Sequence, residues 1–286
     1  MGDMERYEDM EAYPPARWRL LITGFADGAT NMAIDEAIMR GVLEGLAPST
    51  LRFYGWEPPC VSIGYSQSLE KEIDLARCAG AGVDWVRRPT GGRAILHVDE
   101  LTYSVVTRLD DPRAAGGVVE SYRRLSRGLV AGLSLLGVPA IQAEYQRNEN
   151  TNGFSSACFD VPSHYEVTVD GKKLVGSAQV RRQGVLLQHG TLPLYGDITR
   201  LVDYLRLDSD AEREALRRKL AQRAATLETA LGRRVEFEEA ARAMAQGFAQ
   251  ALNLELVAGE LTPQEREWAE EGRRLRYANP EWNAQR

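Results

Sequence analysis

The chain has 286 residues, 44% hydrophobic and 27% charged, with a formal net charge of −6. That composition fits an ordinary globular protein with a sizeable core, excludes a global basic field for nucleic acid, and contains no apolar run near the ~18 residues of a membrane span. Three cysteines (Cys60, Cys78, Cys158) without CxxC spacing, and only three histidines, argue against a disulfide framework and a metal site.

The first residues have no apolar signal core, and Arg6 stands where a myristoylation signal wants Ser or Thr, so a cytoplasmic protein without membrane attachment is expected. Residues 1–16 are acidic and read as a loosely ordered tail. Residues 18–23 have strand character and 24–29 read as a loop. Thr30 or Asn31 then caps a helix carrying Ile34, Ala37, Ile38 and Val42 at helical spacing, with Asp35 and Glu36 in its first turn. Residues 51–54 and 60–65 read as strands around the breaker Glu57-Pro58-Pro59. Cys60 in its apolar run, and Cys78 in a helical one, read as buried small hydrophobes. Residues 83–88 alternate as a strand, and 94–97 and 101–106 read as two strands paired with each other.

An amphipathic helix over 118–136 ends at Gly137, and a polar loop over 146–156 delivers the chain to Cys158. Residues 165–169, the Asp170-Gly171 turn, 173–175 and 185–194 form an antiparallel meander. From Leu201 the pattern is helical. Helices are expected over 211–232 and 237–252, and a third opens on the capping box of Thr262 and Glu265 with Pro263 between them. The expected division is a tail over 1–16, a catalytic domain over 17–255 and a C-terminal helical extension over 256–286 packed on it.

Two stretches carry chemistry. Gly91-Gly92, flanked by Arg87, Arg88 and Arg93, is either a plain turn or a backbone that lets a carboxylate, phosphate or phosphopantetheine-bearing partner approach closely. It lacks the patterns of a P-loop or a Rossmann turn. The second stretch joins Cys158 to Lys173, fifteen positions later on the hairpin. A thiol of ordinary pKa, about 8.5, is mostly protonated at neutral pH, and a neighbouring cation favours the nucleophilic thiolate. Lys173 can supply that charge, hydrogen-bond an acyl oxygen, or relay a proton. A hairpin reversing at Asp170-Gly171 sets Lys173 opposite residues near Thr168, so Cys158 has to fold back to meet it. The residues alone leave open an inert loop thiol, a solvent-facing lysine, and His164 or His189 as the thiol's base. His189 reads equally well as a structural, hydrogen-bonded strand residue.

Several motifs, in order along nearly the whole chain, resemble the lipoate–protein ligase and octanoyltransferase superfamily. They are Pro58-Pro59-Cys60-Val61-Ser62-Ile63-Gly64-Tyr65-Ser66-Gln67, Arg87-Arg88-Pro89-Thr90-Gly91-Gly92-Arg93-Ala94-Ile95-Leu96-His97, Gly171-Lys172-Lys173-Leu174-Val175-Gly176-Ser177-Ala178-Gln179, Leu187-Gln188-His189-Gly190 and the terminal Tyr277-Ala278-Asn279-Pro280-Glu281-Trp282-Asn283. Within it, Ala157-Cys158-Phe159-Asp160 resembles the cysteine-dependent octanoyltransferases of the LipM type. Lipoate–protein ligases generally lack that cysteine and tend to read Gly-Gly-Gly where this chain has Gly91-Gly92-Arg93.

The resemblance implies an α+β fold of the biotinyl/lipoyl ligase type, with a mostly antiparallel central sheet flanked by helices. It implies that Cys158 takes octanoyl from octanoyl-acyl carrier protein as a thioester and passes it to a lysine of a lipoyl-domain protein such as glycine cleavage H protein. Lys173 matches the lysine that activates the thiol and orients the acyl carbonyl. Arg87, Gly91, Gly92, Arg93 and His97 match the loop and strand that close on the acyl chain. Val61, Ile63 and Gly64 are expected to line its tunnel, and Gly176, Ser177, Ala178, Gln179 and His189 to contact substrate. No cofactor is expected, because thioester exchange is nearly isoenergetic, and a monomer is the expected state. An ATP-dependent ligase, an amidotransferase between lipoyl domains and a non-catalytic lipoyl-domain binding protein are the alternatives.

Overall fold

The structure, a computed structural model, describes residues 13–144 and 165–285. Strand β1 (Ala16–Ala26) leads into helix α1 (Gly28–Leu43), followed by β2 (Thr50–Trp56) and β3 (Cys60–Ile63). Two short helices, α2 (Leu69–Glu72) and α3 (Leu75–Gly80), precede β4 (Asp84–Arg87), β5 (Ile95–His97), β6 (Glu100–Arg108) and helix α4 (Val118–Leu135). Strands β7 (Ile141–Glu144), β8 (Tyr165–Val169), β9 (Lys172–Arg182) and β10 (Val185–Pro193) come next. The rest is helical except for β11 (Leu254–Ala258): α5 (Asp210–Arg223), α6 (Leu227–Leu231), α7 (Phe237–Leu252), α8 (Pro263–Gly272) and α9 (Pro280–Ala284).

An eight-stranded sheet runs in the order β11-β1-β2-β6-β10-β9-β8-β7, and a three-stranded sheet in the order β4-β3-β5. In the large sheet only β1 pairs in parallel, with β11 and β2; the remaining neighbours are antiparallel, as expected for a mostly antiparallel sheet. The two-residue period decides the faces. Leu101, Tyr103 and Val105 of β6 and Leu186 and Leu192 of β10 enter one core with Leu125, Leu129 and Leu133 of α4 and Ala240, Met244 and Phe248 of α7. On the opposite face Val106, Val185 and Leu187 pack under Ile38 and Val42 of α1. Further along that same face the strands carry polar residues, and there the small sheet closes over them.

Several expectations need correcting. Helix α1 starts earlier than its residues suggest, because Asp27 is the cap and its side chain accepts from the Thr30 N–H. Asp35 and Glu36 therefore lie beyond the first turn, and Asn31 turns inward to bond the Ala26 and Gly55 carbonyls. β5 pairs with β3 rather than with β6, since the chain changes sheets at Asp99, which has a positive φ. The boundary at residue 255 falls inside β11, whose pairing with β1 makes residues to 258 part of the sheet. Tyr13 is buried in the main core and the Pro14 carbonyl accepts from Arg113, so the packed chain begins before residue 16. The rest of the expected tail, 1–12, lies outside the described residues, as do Cys158 and His164. No helix among the described residues is long and apolar enough to cross a membrane.

Candidate active site

The polar face of the large sheet is organised by Asp35, fully buried on α1. One carboxylate oxygen accepts from Arg52 Nη1 at 2.7 Å and Ser104 Oγ at 2.9 Å, the other from Tyr54 Oη at 3.0 Å and His189 Nδ1 at 3.2 Å. Burial on its own raises a carboxyl pKa; the Arg52 guanidinium and the His189 contact outweigh it and hold Asp35 below its ordinary value. A carboxylate only accepts, so His189 donates through Nδ1–H. Burial pushes His189 below its ordinary value against the pull of Asp35, favouring the neutral ring. Its Nε2 then accepts the Thr90 hydroxyl at 2.6 Å. Thr90 is the residue before Gly91-Gly92, so this relay fixes the base of that loop.

A second relay runs alongside. Glu100 Oε1 meets His97 Nδ1 at 2.8 Å, and His97 Nε2 lies 2.7 Å from Ser62 Oγ. Ser62 Oγ also accepts from Arg88 at 3.0 Å, and the remaining Arg88 donors reach the carbonyls of Ser62, Gly91 and Arg93. Trp56 stacks on His97 at 3.9 Å between ring centroids and donates to Thr102. Thr102 and Thr191 in turn donate to Glu100. Between the relays lies a cavity of about 40 Å³, bounded by Met32, Ile95, Gly92 and the strand residues Gly176, Ser177 and Ala178. Its histidines and hydroxyls are hydrogen-bonded within the protein, most of them to Asp35 and Glu100.

Lys173 is on β9, three residues before Gly176, which is about 10 Å along a strand. It sits opposite Thr168, as the hairpin requires, at a register shift beside Val167. The solvent-facing alternative is removed: its side chain is 6% exposed, with Nζ 2.9 Å from Glu166 Oε1, itself 13% exposed. The Lys173 carbonyl accepts from the Ala225 N–H, pinning this part of β9 to the chain after α5.

His97, Gly92, Gly176, Ser177, Ala178 and His189 are thus brought to one cavity. Others are not. Val61 and Ile63 point away into the cluster with Leu69, Ile73 and Cys78, because β3 alternates and Ser62 between them takes the cavity side. Gly64 acts from behind, where a Cβ would come within 2.0 Å of the Gly92 carbonyl oxygen. Arg87 donates to five carbonyls, of Gly64, Tyr65, Gln67, Trp282 and Asn283, and so staples loops together instead of facing the cavity. It is the neighbouring Arg88 that lines the cavity. Gln179 bonds Ser121 and Gln188, tying β9 to α4 and β10. Gly91 and the half-buried Arg93 complete the loop, which Arg88 holds by their carbonyls. Asp35, Ser62, Thr90, Glu100 and Glu166 were missed as site residues, and Arg88 was read only as a flank of the Gly-Gly pair; strand alternation gave a signal for Ser62.

A two-sheet α+β fold with a buried lysine on the strand that walls the cavity, opposite a clamped Gly-Gly loop, defines the class of lipoate–protein ligases and related acyltransferases. The lipoyl protein ligase A/B catalytic domain family matches residues 27–249, and the chain belongs to it. Its curated relatives include the Octanoyltransferase LipM of Symbiobacterium thermophilum, 48% identical over 93% of this chain and 97% of that one. That of Kyrpidia tusciae is 49% identical over 93% and 98%. Among solved structures, the bipartite lipoate protein ligase of Thermoplasma acidophilum superposes with a TM-score of 0.80 at 26% identity, covering 95% of this chain and 98% of its own.

Proposed function

We propose that this chain is an octanoyltransferase of lipoate biosynthesis that moves octanoyl from octanoyl-acyl carrier protein to a lysine of a lipoyl-domain protein, such as glycine cleavage H protein, through a thioester on Cys158. The observation that carries the reading is Lys173, a buried side chain ion-paired to Glu166 on the strand that walls the cavity. A cation held there favours a thiolate nearby and an anionic acyl oxygen. The other two cysteines are unsuited: burial pushes Cys60 far above its ordinary value, and burial with Asp74 beside it raises Cys78 to about 11.

In the first step the Cys158 thiolate attacks the carbonyl carbon of the donor thioester. A new C–S bond forms, the donor C–S bond breaks, and the carrier's thiolate leaves and takes a proton. In the second, a neutral acceptor lysine attacks the Cys158 thioester, an amide forms, and the Cys158 thiolate departs while the amine's proton passes to solvent. Exchange between thioesters needs no ATP.

The test is intact mass of the protein after incubation with octanoyl-acyl carrier protein and no ATP. An octanoyl adduct is expected, absent in Cys158→Ser and slowed at least 100-fold in Lys173→Ala. No adduct, or one that survives Cys158→Ser, rejects the mechanism. An adduct formed from octanoylated H protein alone points to an amidotransferase. Activity that needs free acid and ATP and tolerates Cys158→Ala points to a ligase.

A further inference from the structure

We infer that Met32 sets the acyl-chain length this site accepts, an inference that rests on the octanoyl-transfer reading. The cavity's 40 Å³ has room for about three water-sized groups at ~10–15 Å³ each. An octanoyl chain brings seven carbons beyond its carbonyl, so part of the wall has to give way.

The candidates to move are few. Gly176, Ser177, Ala178 and Gly190 belong to the backbone of β9 and β10, fixed by their mutual pairing. Gly92 is flanked by two carbonyls that Arg88 holds. Tyr54 and His189 are tied to Asp35, His97 to Glu100 and Ser62, and Trp56 to Thr102 and the His97 ring. Moving any of these breaks a buried hydrogen bond, which is costly. Among the described residues, only two larger side chains on the wall, Met32 and Ile95, have no polar tether.

Ile95 is β-branched, with χ1 restricted, and sits on β5 paired to Ser62. Met32 is 1% exposed on α1, packed among Ala29, Ala33, Tyr54 and Trp56. It is unbranched with three rotatable bonds, and Ala29 and Ala33 beside it on the helix are small. The yielding wall is therefore Met32, and the depth it opens decides where the acyl chain must end.

Two readouts test this: transfer from hexanoyl-, octanoyl- and decanoyl-acyl carrier protein, and calorimetric binding of free hexanoate, octanoate and decanoate. Wild type should favour eight carbons. Met32→Ala should raise the ten-to-eight-carbon ratio about tenfold, the worth of two buried methylenes. Met32→Phe should shift preference to six carbons. If Met32→Ala does not fold, Met32→Ile keeps the volume but stiffens the side chain, and should lose eight-carbon binding relative to six. Ratios within twofold of wild type in folded variants overturn the inference, as does a wild type that binds no fatty acid. A wild type that transfers nothing from carrier protein, with binding ratios that still shift, instead overturns the transfer reading and leaves the role of Met32 standing.

Discussion

At the scale of single residues, Asp35 shows how one buried charge organises a site. Its four donors come from α1's neighbours β2, β6 and β10, so the side chain sets the mutual position of three strands and the tautomer of His189. Removing one partner of such a buried pair typically costs about 3–5 kcal/mol, because the other charge is left uncompensated. His189 carries a pH consequence. Its folded pKa is depressed below the ordinary value of 6.5, so the fold favours the neutral ring. That contribution is fully present above the unfolded pKa and is lost as pH falls below it. Among the described residues, Arg88 and His97 also act on it, both favouring the neutral ring. Thermal unfolding midpoints should therefore fall from about pH 7.5 to about 5.5, with a shallower slope in His189→Gln; an identical slope removes His189 from the explanation.

At the scale of elements, the site is two loops pressed together. The turn after β3 and the Gly-Gly loop after β4 meet where Gly64 faces Gly92, and Tyr65 N–H donates to the Thr90 carbonyl. Arg87 clamps the first loop while Arg88 clamps the second. A Cβ at Gly64 meets backbone, which cannot rotate away as a side chain can. Gly64→Ala should displace the Gly-Gly loop and cut acyl transfer at least tenfold while leaving the circular dichroism spectrum native. Full activity in that variant means the loop tolerates displacement.

At the scale of the whole molecule, the C-terminal residues are packed into the rest of the fold. Arg19 of β1 makes a bidentate pair with Glu265 of α8 at 2.7 and 2.6 Å, and the two side chains are 7% and 0% exposed. The carboxylate also closes the helix's capping box on Thr262. At the far end, α9 delivers Trp282 and Asn283 to Arg87, so the last residues brace the loop that backs the cavity. Arg19→Met should lower stability to urea by about 3–5 kcal/mol, and adding Glu265→Gln should restore much of it by removing the stranded charge. A loss below about 1 kcal/mol means that α8 is held mainly by its apolar contacts with α1.

The sequence by itself determined many of the strands, the hairpin at Asp170-Gly171, the helices of strong period such as α4 and α7, and the capping box of α8. Each is written in local spacing, and local spacing is all that these elements need. The motifs around Arg87 to His97 and around Lys173 were legible as well, but as patterns without a geometry. Only the tertiary structure decided that Lys173 is buried against Glu166, that Arg88 rather than Arg87 faces the cavity, and that Ser62 rather than Val61 or Ile63 lines it. It alone joined Asp35 to His189 across 154 positions. The physical reason is that a strand's alternation says which residues share a face but not which face meets the core. Here both faces of β3 are buried, one on an apolar cluster and one on the site, and only packing tells them apart.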